Sequence, residues 1–232
     1  MDFMPEGPMA IPLWINGHAF LTVSDAFFDV INPATGEALR RVPLCGAEEA
    51  ASAVAAARAA QPIWGAMGMM ARRVCLGNLA EALDNYTGHF AKLLIQETGF
   101  SQEQATAEVL AAVDALRGAN VGETGVAVVV VDASRPLAGF AEALAPALMA
   151  GATIVVKPSP KAPSAIFALC ELSARVDWPG GVLNLMQGDS AAISGLCVQN
   201  IDRLIYVGEA ALGEQVRALC EAQGKLFVSG QA

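Results

Sequence analysis

Four short segments of this chain carry residues that could do chemistry. Lys157 ends an apolar run, Thr153-Ile-Val-Val-Lys157, and is followed by Pro158, Ser159 and Pro160. An ammonium donor at the end of a strand can contact a ligand, or can stay solvated and anchor a loop. The residues alone leave both readings open. Gly208-Glu-Ala-Ala-Leu-Gly213 sets two glycines around the start of a helical stretch. Glycine permits a tight turn and close backbone approach, and a helix N-terminus behind it suits an anion. Glu209 is itself an anion in that turn, and a carboxylate is a good partner for the helix dipole. It is read as a built-in cap that stands in for a ligand and repels a phosphate. Asp132-Ala-Ser-Arg-Pro136 adds a short hydroxyl donor, Ser134, and a cation, Arg135, expected to pair with Asp132. Leu226-Phe-Val-Ser-Gly230 offers Phe227, which cannot take a proton and reads as a core ring.

These segments need a scaffold that brings them to one edge. From Gly125 the chain alternates between apolar runs and helical stretches. The runs are Gly125–Val131, Thr153–Lys157, Val182–Met186, Arg203–Val207 and Lys225–Val228, with helices near 137–150, 163–176, 190–198 and 210–223. Continuous Val/Ile/Leu strands separated by helices imply a parallel sheet covered on both faces. Right-handed crossovers make it doubly wound, with ligands in the crevice beyond the strands' carboxyl ends. The expected fold is therefore α/β, a Rossmann-like, mostly parallel five-stranded sheet preceded by a helical and short-strand region. The division falls near Gly118–Gly122, giving residues 1–120 and 121–232, packed as one compact unit. In the first part, Leu13–Gly17 and Ala26–Ile31 read as strands. Leu76, Leu79, Leu83, Tyr86, Phe90 and Leu93 line one face of a helix. Gly99 is its stop, and Ser101 with Gln104 forms a capping box for the next helix.

Composition narrows the functional classes. The formal charge is −9, which argues against nucleic acid and anionic membranes as partners. No apolar run is long enough to span a bilayer, and the start lacks a signal-peptide pattern. Five scattered cysteines and two histidines form no metal-ligand cluster, so no metal is expected. The cysteines read as buried thiols of a cytoplasmic protein.

The order of motifs resembles the aldehyde dehydrogenase family. Ile31-Asn-Pro-Ala-Thr-Gly-Glu37, Glu97-Thr-Gly99, Ala145-Pro-Ala-Leu-Met-Ala-Gly151, Val156-Lys-Pro-Ser159, Pro179-Gly-Gly-Val-Leu-Asn184 and Asp202-Arg-Leu-Ile-Tyr-Val-Gly208 match its landmarks in sequence. The resemblance covers the NAD-binding half. The catalytic half, with its nucleophilic cysteine, is not found in these residues. The stretch from Gly99 to Gly125 is also too short to hold the family's oligomerisation hairpin. By the resemblance, Lys157 and Ser159 match the KPSE lysine and serine that touch the adenine-side ribose, while its glutamate is Pro160 here. Gly208 and Gly213 match the GSTxxG turn at the cofactor pyrophosphate. Ser134 stands at the oxyanion asparagine of PWNFP and Phe227 at the general base of LELGG. The resemblance thus implies no catalytic residue and residual cofactor contacts only, at Lys157, Ser159, Gly208 and Gly213. No cofactor is expected at ordinary affinity. The expected role is a non-catalytic structural, regulatory or interaction subunit, with self-association or a protein partner. The alternative is the NAD(P)-binding half of a split dehydrogenase.

Overall fold

The computed structural model describes residues 8–22, 24 and 26–230. Asn16 and Gly17 both take positive φ, 55° and 79°, so the chain reverses in two residues between β1 (Leu13–Ile15) and β2 (His18–Phe20). β3 (Phe27–Ile31) and β4 (Ala38–Pro43) form a separate antiparallel pair. Four helices follow: α1 (Ala47–Ala66), α2 (Met69–Asn85), α3 (Thr87–Thr98) and α4 (Gln102–Arg117). The remainder alternates strictly. It comprises β5 (Val126–Val131), α5 (Ala138–Met149), β6 (Thr153–Lys157), α6 (Ser164–Arg175), β7 (Leu183–Leu185), α7 (Ser190–Cys197), β8 (Arg203–Val207), α8 (Ala210–Glu221) and β9 (Leu226–Ser229).

The sheet order is β2-β1-β7-β6-β5-β8-β9. β5 is the middle of the five parallel strands, between β6 and β8, and all six of its residues are buried. A strand covered on both faces needs apolar side chains at every position, which the sequence Val-Ala-Val-Val-Val-Val supplies. Ala127, Val129 and Val131 pack with α2 to α6 on one face. Val126, Val128 and Val130 pack with α7, α8 and the first half of α1 on the other.

The doubly wound α/β fold is as the sequence predicts, but the sheet has seven strands, not five. The β1–β2 hairpin joins it antiparallel, with Trp14 opposite Leu185. The reason is the free side of β7. There Asn184 Oδ1 accepts the Asn16 N–H at 3.0 Å and fixes the hairpin turn against the strand. A second difference lies in the long apolar stripe from Leu76 to Leu93. The helix breaks at Tyr86, whose φ of −103° and ψ of 15° divide α2 from α3. Tyr86 is exposed while the other five stripe residues are buried. Gly99 does close α3 in the left-handed conformation, and Ser101 and Gln104 do form the capping box of α4.

Besides α8, two helices of the sheet layer start without a capping side chain of their own. The residues before them are Leu137 and Pro163. Their N-termini are capped instead by carboxylates from other helices. Glu108 of α4 accepts from Leu137 N (3.1 Å) and Ala138 N (2.9 Å). Glu97 of α3 accepts from Ser164 N (3.0 Å) and from the Ser164 hydroxyl, and pairs with Arg40 of β4. Arg72 closes the opposite kind of end. Its guanidinium donates to the carbonyls of Gly65 in the last turn of α1 and of Met67 at its C-cap, and to Met149 O at the end of α5. Each contact satisfies a backbone group that the helix leaves unpaired and suits its end of the dipole.

Burial holds the Glu97 carboxyl above the usual carboxylate range, against the opposing pull of Ser164 and Arg40. A raised folded-state value means that the native chain binds the proton more tightly than the unfolded chain. The stability this proton confers is present below about pH 4.3 and is lost as pH rises through the folded value. Glu97→Gln is expected to remove that part of the pH dependence. Urea unfolding of both proteins at pH 4 and pH 7 checks this: the parent should lose more stability between the two than the variant.

Candidate functional site

Beyond the carboxyl ends of β5, β6 and β8 lies a cavity of about 500 Å³. Lys157, Ser159, Pro160 and Ser134 all line it, so sequence reasoning brought these four to one place correctly. Phe28 from the β3–β4 pair and Leu212 from α8 contribute apolar wall.

The turn after β8 is the most constrained part of the site. Gly208 has φ of 149°, and a Cβ there would fall on the Asp132 carboxylate. Asp132 follows β5 directly and is 8% exposed. One oxygen accepts from the Ser134 N–H (2.7 Å) and hydroxyl (2.5 Å). The other accepts from the Glu209 N–H at 2.6 Å and from the Tyr206 hydroxyl at 3.3 Å. The Tyr206 hydroxyl also reaches Glu209 O at 3.0 Å, and burial, then the Asp132 charge, pushes its pKa up. Gly213 lets the Tyr206 ring lie against α8, since a Cβ would meet it at 3.0 Å.

This arrangement corrects two expectations. Glu209 is the N-cap residue of α8, but its side chain makes no capping bond. With φ of −65° and ψ of 138° it contributes backbone to the turn. The acid that fills the turn is Asp132, from the neighbouring strand. Arg135 does not pair with Asp132 either. Its guanidinium makes two hydrogen bonds to Glu142, at 2.9 and 2.6 Å, because α5 carries that carboxylate back over the loop. Asp132 already accepts from the Ser134 N–H and hydroxyl and the Glu209 N–H, and shares the Tyr206 hydroxyl with Glu209 O. It went unremarked in the sequence as a turn acceptor, although an acid immediately after a buried valine run was the available signal.

Lys157 is 4% exposed, and among the described residues its ammonium has no hydrogen-bond or ion-pair partner. Burial lowers its pKa to about 8, and the charge of Asp189 partly offsets this. Asp189 is held in place by capping α7 through the Ala191 N–H at 2.9 Å. Ser159 Oγ accepts from Lys161 N at 3.3 Å, a bond within its own loop. Ser134 spends its hydroxyl on Asp132 and has none to present to an oxyanion. Phe227 lies away from the cavity, with the Arg217 guanidinium 4.9 Å from its ring centroid, and packs with the core beneath α7 and α8. No thiol lines the cavity. Four of the five cysteines are buried, and burial pushes Cys45 and Cys197 up to about 12, far from a reactive thiolate. Among the described residues no cluster of His, Cys, Asp or Glu could hold a metal, and no helix is long and apolar enough to cross a membrane.

The sequence pattern of the aldehyde dehydrogenase family matches residues 20–121 and 123–229. The chain belongs to the aldehyde dehydrogenase family. It is 29% identical to the succinate-semialdehyde dehydrogenase [NADP(+)] GabD of Escherichia coli (strain K12), over 89% of this chain and 48% of that one. The crystal structure of lactaldehyde dehydrogenase from Escherichia coli superposes with a TM-score of 0.89 at 25% identity, covering 96% of this chain and 52% of the other. Aldehyde dehydrogenase C from Pseudomonas syringae, solved with NAD+ and octanal, gives 0.88 at 25% identity, covering 97% and 50%. The chain spans about half the length of these relatives. In this chain one N–H of the Gly208 turn is already taken by Asp132, and Pro160 in the cavity wall carries no side-chain acceptor.

Removal of the turn's acceptor tests its structural weight. Asp132→Ala strands the Glu209 N–H and is expected to cost about 1–3 kcal/mol in chemical denaturation. Ser134→Ala, which deletes one exposed donor, should cost under about 1 kcal/mol.

Proposed function

We propose that these residues form a non-catalytic member of the aldehyde dehydrogenase family, a structural, regulatory or interaction subunit that does not use a dinucleotide at ordinary affinity. The observation that carries this reading is the Asp132 carboxylate held at 2.6 Å by the Glu209 N–H in the Gly208 turn. A second carboxylate-like group cannot share that N–H, and like charges at close range repel. Pro160 removes a charged hydrogen bond worth roughly 1.5–3 kcal/mol. With the repulsion, the total of about 3–6 kcal/mol turns micromolar binding into roughly millimolar. Phe227 and Ser134 support the same reading, because neither can serve as the base or the oxyanion donor that the family resemblance assigns to those positions.

The second reading is the NAD(P)-binding half of a split dehydrogenase. It is favoured by the open cavity beside Lys157 and by the half-length match to relatives, one of them solved with NAD+. Isothermal calorimetry with NAD+ and NADP+ decides between the two. Binding of about millimolar strength or weaker is expected, and low-micromolar binding of either would overturn the first reading in favour of the second.

Self-association or a protein partner belongs to the same proposal. β9 is an edge strand whose Leu226 and Val228 are 55% and 37% exposed, and all three residues of β2 at the other edge are exposed. Open strand edges bearing apolar side chains pair readily. Multi-angle light scattering of the purified protein should show a mass above 24.0 kDa that falls when Leu226 and Val228 are both changed to Lys. A monomer at every concentration would contradict self-association.

A further inference from the structure

The chain has four lysines, and Lys157 is the buried one; Lys92 and Lys161 are exposed and Lys225 half-buried. Its side chain ends in the cavity at the strand ends without a partner among the described residues. Among the described residues the buried polar atoms left without a partner belong to Arg41, Gln187 and Arg217; the Lys157 amine instead opens into the cavity, where the burial of its stem disfavours the charged form. Three carboxylates line the cavity, none of them bonded to Lys157: Asp132 accepts from the Glu209 and Ser134 N–H groups, Asp189 accepts from the Ala191 N–H and acts on Lys157 only through its charge, and Glu209 is exposed at the rim. Lys161 is the other cation at the rim. The walls nearest the strand ends are apolar: Val130, Val131, Ile193, Leu212 and Phe28. A volume of about 500 Å³ falls within the roughly 300–1,000 Å³ of small-molecule sites.

We propose that Lys157 is a covalent capture site for a small apolar aldehyde, held as an imine in this cavity. The amine lone pair attacks the carbonyl carbon, forming a C–N bond. The resulting carbinolamine loses its hydroxyl as water, which carries away the two protons that began on nitrogen, and C=N remains. No electrons are gained or lost, so neither oxidant nor dinucleotide is required. The proposal therefore stands apart from the question of cofactor affinity. At pH 8 about half of Lys157 is free amine, against roughly 0.4% of an exposed lysine. Burial thus supplies both the nucleophile and the apolar surroundings for the alkyl chain.

The test is reductive trapping of the unaltered protein with hexanal and sodium cyanoborohydride at pH 8, followed by peptide mapping of all four lysines. Lys157 should be alkylated about tenfold faster than Lys92, Lys161 or Lys225. Its rate should level off above pH 8, while the exposed lysines keep gaining rate toward pH 10. Lys157→Met, folded by circular dichroism, should lose the fast phase and keep the slow one. Label spread evenly over the four lysines, or a Lys157 that lags the others, would overturn the proposal. Because the mapping uses the parent chain, the result does not hang on how well the variant folds.

Discussion

A carboxylate that accepts a backbone N–H from a neighbouring element is the interaction on which this molecule repeatedly relies. Glu97, Glu108 and Asp132 each reach across to an N–H that its own segment leaves unmet. Asp202 does the same for Val126 N at 2.6 Å, where Gly125 leaves room for it. An unpaired N–H in a packed layer costs as much as a lost hydrogen bond. These acids fix the spacing between helices, sheet and turns more firmly than apolar contact alone would. Three of the four sit at the edges of the sheet layer, where the helices α5 and α6 and the turn before α8 begin.

The same device shapes the site. At the strand ends the backbone of a doubly wound sheet offers free N–H groups to whatever lies in the crevice. Here one of them is taken by Asp132, and that acid is itself saturated by Ser134 and Tyr206. What stays open is the neighbouring position, at the end of β6, where Lys157 lines the cavity with no hydrogen-bond partner among the described residues. The cavity is thus divided into a closed half at β8 and an available half at β6.

Much of this was legible in the sequence. Continuous apolar runs alternating with helices fixed the sheet, because burial on both faces leaves no room for polar alternation. Gly99, Ser101 and Gln104 marked helix ends through local chemistry that depends on a few adjacent residues. Lys157, Ser159 and Ser134 were gathered correctly because the ends of parallel strands must meet. The failures were non-local. The acid in the Gly208 turn was assigned to Glu209, the adjacent residue, when it comes from Asp132, 77 residues away by the contact it makes. The partner of Arg135 lies one helical turn and more along α5. The β1–β2 hairpin joins β7 through a pairing that no periodicity announces. The break at Tyr86 is hidden because the residues on both sides keep the same spacing.

The closed turn also constrains how this chain can change over generations. Asp132 answers to Glu209, Ser134 and Tyr206 together, and Gly208 leaves it the space. Exchanging any one of them alone unsettles the others before a new ligand can compensate, so the effects of substitutions here depend on their order. A lineage that closed its turn this way would find the way back uphill, and a designer wishing to reopen it must alter the set in one step.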